Sequence, residues 1–258
     1  MDVGDIPEQE GRTVEATRTS FRVIEALKRL DGAGVTELAG ELDLAKGTVH
    51  KHLSTLHRLD YVVKDDGSYR LAVGLLGLGV AARSRLDVYG ASQDALERLA
   101  ETTGRVATLM VPEHGRGIYV NQVVPADVDR VFQYEGERVP LHATAGGKAI
   151  LAYTDEAVRE RVFDHRGLDS LTEQTTTDRD ELAAELQNVH DTRIAYDRGE
   201  YVEGEYCVAS PITNEEGRAI AAVSVAGSAE RMTETFARSD VPSFLGSTAN
   251  SIRNRLRS

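Results

Sequence analysis

Residues 44–59 read Leu44-Ala45-Lys46-Gly47-Thr48-Val49-His50-Lys51-His52-Leu53-Ser54-Thr55-Leu56-His57-Arg58-Leu59. At about 100° per residue, Val49, Leu53 and Leu56 fall in one narrow stripe, while Gly47, Lys51, Ser54, Thr55 and Arg58 lie on the opposite arc. The stripe is a core face and the arc a reading face. Small and hydroxyl-bearing residues let a helix approach a groove closely, and Lys or Arg among them supply hydrogen bonds to phosphates and guanine edges. No acid interrupts the stretch. On its own it is an amphipathic basic helix that could equally be an ordinary solvated one; its flanks decide.

Upstream, Phe21, Val23, Ile24, Leu27 and Leu30 recur at helical spacing and stop at Asp31-Gly32-Ala33-Gly34, a helix with a glycine stop. Thr36 is an expected N-cap for the short helix Glu37–Leu42, with Val35 as a hydrophobic staple. Asp43-Leu44-Ala45 makes the turn into the basic helix. This order is that of a helix-turn-helix. Downstream, Tyr61–Lys64 and Ser68–Leu71 alternate as strands around Asp65-Asp66-Gly67, a hairpin in the position of a wing, with Lys64 and Arg70 flanking its tip.

From Val73 to about Arg85, Leu75, Leu76, Leu78 and Val80 crowd with Gly74, Gly77 and Gly79, which reads as a linker helix able to pack closely against a second subunit. Asp87–Thr103 is a helix closed by Gly104. Beyond it, strands are expected at Ala107–Val111, Ile118–Val124, Val131–Tyr134, Ile194–Tyr196, Tyr206–Pro211 and Arg218–Ala226. Helices are expected at Ala145–Tyr153, Asp155–Phe163, Asp178–Thr192 and Ser239–Leu256. The fold class is α+β: residues 1–12 a disordered acidic arm, 13–72 a winged helix-turn-helix, 73–90 a linker helix, and 91–258 one sheet with helices packed on it.

The chain's charge of −12 over 258 residues argues superficially against a nucleic-acid partner. Its distribution does not. Residues 46–85 hold 7 Lys and Arg against 3 Asp and Glu, so the field is basic where the candidate recognition helix sits. Four of the 5 lysines, Lys28, Lys46, Lys51 and Lys64, fall in the first quarter, in a chain that otherwise uses arginine. Acid richness with few lysines also resembles proteins of salt-loving organisms. One cysteine, Cys207, excludes an internal disulfide and suits a reducing cytoplasm. The N-terminus lacks the apolar core of a signal peptide, and the longest apolar stretch, Leu71–Ala82, is short and carries three glycines, against a membrane span.

Catalytic and metal motifs do not form. Gly146-Gly147-Lys148 suggests a phosphate loop, but His142 stands where its first glycine is required and Ala149 replaces the Ser or Thr that would hold magnesium. His50 and His52 point to different helix faces and no cysteine accompanies them, so no metal is expected. There is no nucleophile elbow. Cys207 lies in a strand-like apolar run, where a buried small hydrophobe is the plain reading, and Asp197 is one of 42 acids. The expectation is a protein without enzymatic activity or cofactor. Two alternatives stay open: an enzyme with an appended DNA-binding module, and a ligand-sensing module that acts through protein partners.

Three segments together resemble the IclR (isocitrate lyase regulator) family of transcription factors over residues 17–257. They are Leu44–Leu53, Leu141-His142-Ala143-Thr144-Ala145-Gly146-Gly147-Lys148-Ala149-Ile150-Leu151, and Asp197–Ile212 followed by Ala219–Gly227. The resemblance implies a winged helix, a linker helix and a C-terminal GAF-like α/β domain that binds a small-molecule effector, often an organic acid. Its implied partners are double-stranded operator DNA and a second copy of the chain, as a dimer or a dimer of dimers. It implies effector contacts from the backbone amides of Ala145 and Gly146, as expected of a glycine-rich turn entering a helix, and from Asp197, Cys207, Ser224 and Ala226. The family often has a serine where this chain has Ala226, which removes one polar contact. DNA contacts are expected from Lys46, Gly47, Thr48, Lys51, Ser54, Thr55, Arg58, Lys64 and Arg70.

Overall fold

The computed structural model describes residues 3–4, 6, 13–128, 131, 133–238 and 240–257. The chain forms two compact units, Glu8–Arg83 and Met1–Pro7 with Ser84–Ser258.

In the first unit, α1 (Glu15–Arg29) buries Thr19, Val23, Ala26 and Leu27 at i, i+4 and i+3 spacing. Phe21, expected with the apolar stripe, is 61% exposed, because two residues from Val23 places it on the opposite arc. A short strand β1 (Ala33–Gly34) precedes α2 (Val35–Leu42), and Asp43 in the left-handed region turns the chain into α3 (Lys46–Arg58). Thr36 does not cap α2. Gly34 holds that position, since Ala33 and Gly34 pair with Tyr69 and Ser68 and carry the extended backbone up to Val35, which begins the first turn instead of stapling it. Strands β2 (Val62–Asp65) and β3 (Ser68–Leu71) form the hairpin, joined by Asp66 (φ 43°) and Gly67 (φ 85°). Two successive positive φ values define the turn type that matches strand twist, and glycine at the second is why the wing is tight.

Val49, Leu53 and Leu56 are buried together with Val23, Leu27, Leu38, Val62 and Tyr69, so the predicted stripe is the side of α3 that closes this core. Ser20 Oγ lies 2.9 Å from His52 Nδ1, and Arg22 donates to the Leu42 carbonyl at 2.8 Å, tying α1 to both later helices. The unit ends in α4 (Leu75–Arg83), in which no residue is buried.

The second unit begins with α5 (Asp87–Thr103), ended by Gly104 in the left-handed region. Then follow β4 (Val106–Glu113), β5 (Arg116–Val123), β6 (Arg138–Pro140), α6 (Ala145–Leu151), α7 (Glu156–Arg166), α8 (Arg179–Thr192), β7 (Ala195–Arg198), β8 (Glu205–Thr213), β9 (Ala219–Ser228), α9 (Ala229–Arg238) and α10 (Val241–Arg255). The strands make one antiparallel sheet in the order β6-β5-β4-β9-β8-β7. On one face Leu96 and Leu99 of α5 and Leu245 and Ile252 of α10 pack with Leu109, Val208, Val223 and Val225. On the other, Ile150 and Leu151 of α6, Phe163 of α7 and Leu182 and Leu186 of α8 pack with Met110, Ala209 and Ala222. Strand alternation delivers the two sets to opposite sides.

Three expectations are corrected. Of the strand expected at Val131–Tyr134, the described residues 131, 133 and 134 form none, and the edge strand is β6. Gln133 there is held from both sides, its carbonyl accepting from Gln122 Nε2 at 2.8 Å and its carboxamide donating to Glu205. Helix α9 occupies residues left as a connection between the strand expected to end at Ala226 and the helix expected from Ser239. The disordered arm over 1–12 lies mostly outside the described residues, but Val3 is 4% exposed in the α6-side core and Ile6 packs against it.

Candidate DNA-binding surface and effector pocket

Helix α3 starts without an acid in its first turn and with Ala45 as its cap. Lys46, Gly47, Lys51, Thr55 and Arg58 are exposed, Thr48 and Ser54 half-buried, and Lys64 and Arg70 exposed on the wing. Nothing lies within 4 Å of a Cβ placed on Gly47, so the first turn offers an open approach. Thr55 Oγ1 donates to the Lys51 carbonyl at 2.9 Å, leaving that hydroxyl only as an acceptor. Lys64 Nζ stands 5.5 Å from the centre of the Tyr69 ring, and the Arg70 stem passes over Gly32. The structure therefore brings Gly47, Lys51, Ser54, Thr55 and Arg58 together on the side of that helix away from its buried stripe, whereas Lys46, exposed at the helix start, is in phase with Val49 and Leu53.

The effector candidates converge differently. Asp197 pairs with Cys207, and Cys207 with Ala226, in one row across β7, β8 and β9. Ser224 lies two residues along β9 on the same face, its Oγ 2.5 Å from Thr108 Oγ1 on β4. That face is the one covered by α6. Asp197, Cys207, Ser224, Ala226 and Ala145 are all 6% exposed or less. Gly146 is buried too, with Met110 Sδ 3.1 Å from where its Cβ would be. Gly147 is required for another reason: a Cβ there would collide with the Leu141 backbone, so α6 enters directly against the strand-like segment before it. Thr144 caps α6 by accepting from the Gly147 amide at 3.2 Å.

Electrostatics set the character of this buried cluster. Burial, foremost, raises the Asp197 carboxyl to about 7, even though its Oδ1 accepts from the Glu200 amide at 2.7 Å. Burial pushes the Cys207 thiol and the Tyr119 hydroxyl well above their ordinary ranges, with Asp197 and Glu205 adding at Cys207, and Cys207, Glu205 and Asp197 adding at Tyr119. Near neutral pH the sheet face thus presents protonated S–H and O–H groups, with Asp197 poised between its two forms.

Residues that sequence reasoning missed support the pocket. Lys148 is fully buried and its Nζ donates to Glu185 on α8 at 2.6 Å and to Glu200 at 2.6 and 2.8 Å. It is an internal clamp joining α6, α8 and the turn that carries Asp197. Glu205, 1% exposed, accepts from Gln133. The available signal was an acid at the start of an apolar strand, within the segment Asp197–Ile212. Among the described residues no group of three or more His, Cys, Asp or Glu could hold a metal, and no helix is long and apolar enough to cross a membrane.

Residues 80–254 match the C-terminal domain of the bacterial transcriptional regulator IclR, and residues 19–66 the IclR helix-turn-helix domain. The chain is 28% identical over 251 residues to the HTH-type transcriptional regulator ArcR of Halobacterium salinarum, covering 96% of this chain and 95% of that one. A transcriptional regulator from Rhodococcus sp. RHA1 superposes with a TM-score of 0.79 at 27% identity, over 95% of this chain and 99% of that one. An IclR homologue from Microbacterium hydrocarbonoxydans, complexed with 4-hydroxybenzoate, shares the fold at a TM-score of 0.74 and 20% identity, over 92% and 99% of the two chains. With a helix-turn-helix domain for DNA and an effector-binding domain behind it, this chain belongs to the IclR family of transcriptional regulators.

Proposed function

We propose that the protein binds its operator through Lys46, Gly47, Thr48, Lys51, Ser54, Thr55 and Arg58 of α3 and through Lys64 and Arg70 of the wing. Effector bound over Asp197, Cys207, Ser224, Ala226 and the Ala145–Gly146 turn changes operator affinity. The observation that carries the reading is the face of α3 opposite Val49, Leu53 and Leu56, exposed and free of acids. Positioning falls to the lysines and arginines at phosphates; base discrimination falls to those reaching guanine edges and to Thr48 and Ser54. Control is linkage: an effector that binds one arrangement of the protein better changes operator affinity by the factor by which DNA changes effector affinity.

The effector is a small organic acid or related metabolite. A carboxylate set beside protonated Asp197 shares its proton instead of meeting a second negative charge, and Cys207 and Tyr119 add neutral donors. The 4-hydroxybenzoate held by the Microbacterium neighbour is of this class. Ala226 leaves the row without a hydroxyl at its β9 position, which favours ligands with an apolar part over the smallest carboxylates.

The protein acts as a homodimer or dimer of dimers in the cytoplasm, without enzymatic activity or cofactor. Support for self-association is α4, where Leu76, Leu78 and Val80 are 65%, 58% and 45% exposed and Val73 just before it 84%. Its acid-rich, lysine-poor composition fits a concentrated-salt cytoplasm, where direct contacts outweigh counterion release in DNA affinity. The test is retardation of DNA from the region upstream of the protein's own gene, with and without organic acids. Sequence-specific retardation that an acid modulates is expected; none in either condition contradicts the reading.

A further inference from the structure

We infer that Arg116 and Arg166 form a second ligand site, for a small oxyanion, at the far end of the sheet from the effector pocket. A recess of about 90 Å³ opens there between the β4–β5 hairpin, the segment before α6, and the end of α7 with the loop after it. That is room for about three waters, the size of a phosphate or a small carboxylate and too small for a drug-sized ligand. Its walls include Leu141, Val162 and Phe163, and its polar groups are Arg116, His142, Arg166 and Asp169.

The charges are unbalanced. The Arg166 guanidinium is fixed by donating Nε at 2.9 Å and Nη2 at 2.5 Å to the His114 carbonyl, a neutral acceptor that leaves its charge uncompensated. Arg116 makes no side-chain hydrogen bond or ion pair among the described residues. The two cations feel one another: partial burial, then Arg116, lowers the affinity of Arg166 for its proton. His142 is 5% exposed, and burial keeps it neutral with Nε2 committed to the Asp169 carbonyl at 3.1 Å, so it is a wall and not an anion donor. Asp169 is exposed at the rim and pairs with neither arginine. Two guanidiniums brought together in a half-enclosed recess, without a carboxylate between them, are a cradle for the planar or tetrahedral oxygens of an anion.

The site is not the effector pocket under another name. Ala226 pairs with Val106 at the start of β4, whereas Arg116 pairs with Glu113 at its end. Seven steps along a strand span about 23 Å from that row, and three steps, about 10 Å, separate Glu113 from Met110, against which Gly146 packs. The two regions are linked twice: Leu141 and His142 of the recess lead within three residues into the Ala145–Gly146 turn, and in the loop after α7 Leu171 lines the recess while Thr172 and Thr175 donate at 2.7 Å to the carbonyls of Gly199 and Glu200, in the turn that carries Asp197.

Titration calorimetry of the full chain in low-chloride buffer, with inorganic phosphate in one arm and acetate in the other, tests the assignment. At least one of the two binds the unmodified protein; the tighter arm tells whether phosphate or carboxylate oxygens are preferred. R116Q, which replaces a half-buried side chain without hydrogen-bond partners among the described residues, keeps the melting temperature of the unliganded protein and weakens binding about tenfold or more; R166Q weakens binding likewise while also giving up its bonds to the His114 carbonyl and lowering the melting temperature. Absence of binding in both arms overturns the site, and so does binding that R116Q and R166Q leave unchanged. Neither result touches the operator assay, which reads α3 and the wing.

Discussion

The face of α3 proposed to read DNA and the sheet face under α6 proposed to hold the effector are built in opposite ways. On α3, Gly47, Lys51 and Arg58 lie on the arc away from the side that stabilises the helix; function and folding occupy separate arcs. On the sheet, Asp197, Cys207 and Ser224 are themselves part of the packed interior, and Asp197 is hydrogen-bonded to the turn that Lys148 clamps. A surface site can be changed without disturbing the fold. A buried one cannot be changed without also changing stability, because each polar group there is also a structural partner.

That contrast predicts a graded series. Lys148→Ala leaves Glu185 and Glu200 facing each other without their cation and should cost about 3–5 kcal/mol of stability in urea denaturation; a loss below about 1 kcal/mol would mean the clamp is not needed. Leu53→Ala, on the buried side of α3, should cost about 2–5 kcal/mol. Lys51→Ala, two residues away, should leave stability within about 0.5 kcal/mol while weakening operator binding and lowering the slope of log affinity against log salt by about one. If the two neighbours behave alike, the separation of arcs is wrong.

Asp197 gives a smaller effect with a definite sign. Its folded value of about 7 lies above the ordinary 3.8, so between these pH values the folded chain keeps a proton that the unfolded chain has lost. The group's contribution to stability is full at the acid end of that window and disappears as pH rises through about 7. Asp197→Asn cannot ionise and should be more stable than the unmodified protein at pH 8 by about 1–3 kcal/mol, the advantage shrinking toward pH 5. Organic-acid affinity should rise as pH falls through 7 in the unmodified protein and be flat across that range in the variant. Smallest of all, Thr55→Ala should change operator affinity less than about twofold, since its hydroxyl proton is already given to Lys51.

The same contrast explains what could be read from residue order. Val49, Leu53 and Leu56 announce their stripe within one helix, and Asp66-Gly67 announces its turn within two residues, because the forces are local. The winged helix was therefore legible nearly to its boundaries, Thr36 and Phe21 excepted, where strand pairing of Gly34 and the exact helical phase decide. In the second unit most strands and helices were legible, but β6, α9 and the loop around Gln133 were not. Gln133 is placed by Glu205, 72 residues away, and Lys148 by partners 37 and 52 residues away. No local pattern encodes such pairs. Asp197, Cys207, Ser224 and Ala226 were located through resemblance, and their common face became visible only with the register of β7, β8 and β9.

The central claim is that an exposed DNA-reading surface answers to a buried effector pocket in the same chain. Fluorescence anisotropy of the protein on labelled DNA from its own upstream region, repeated with a panel of small organic acids, measures this directly. Sequence-specific binding that Lys51→Ala weakens is expected, together with an organic acid that shifts the affinity of the unmodified protein but not of Asp197→Asn in the same way. Binding insensitive to Lys51, or an acid response identical in Asp197→Asn, would contradict it.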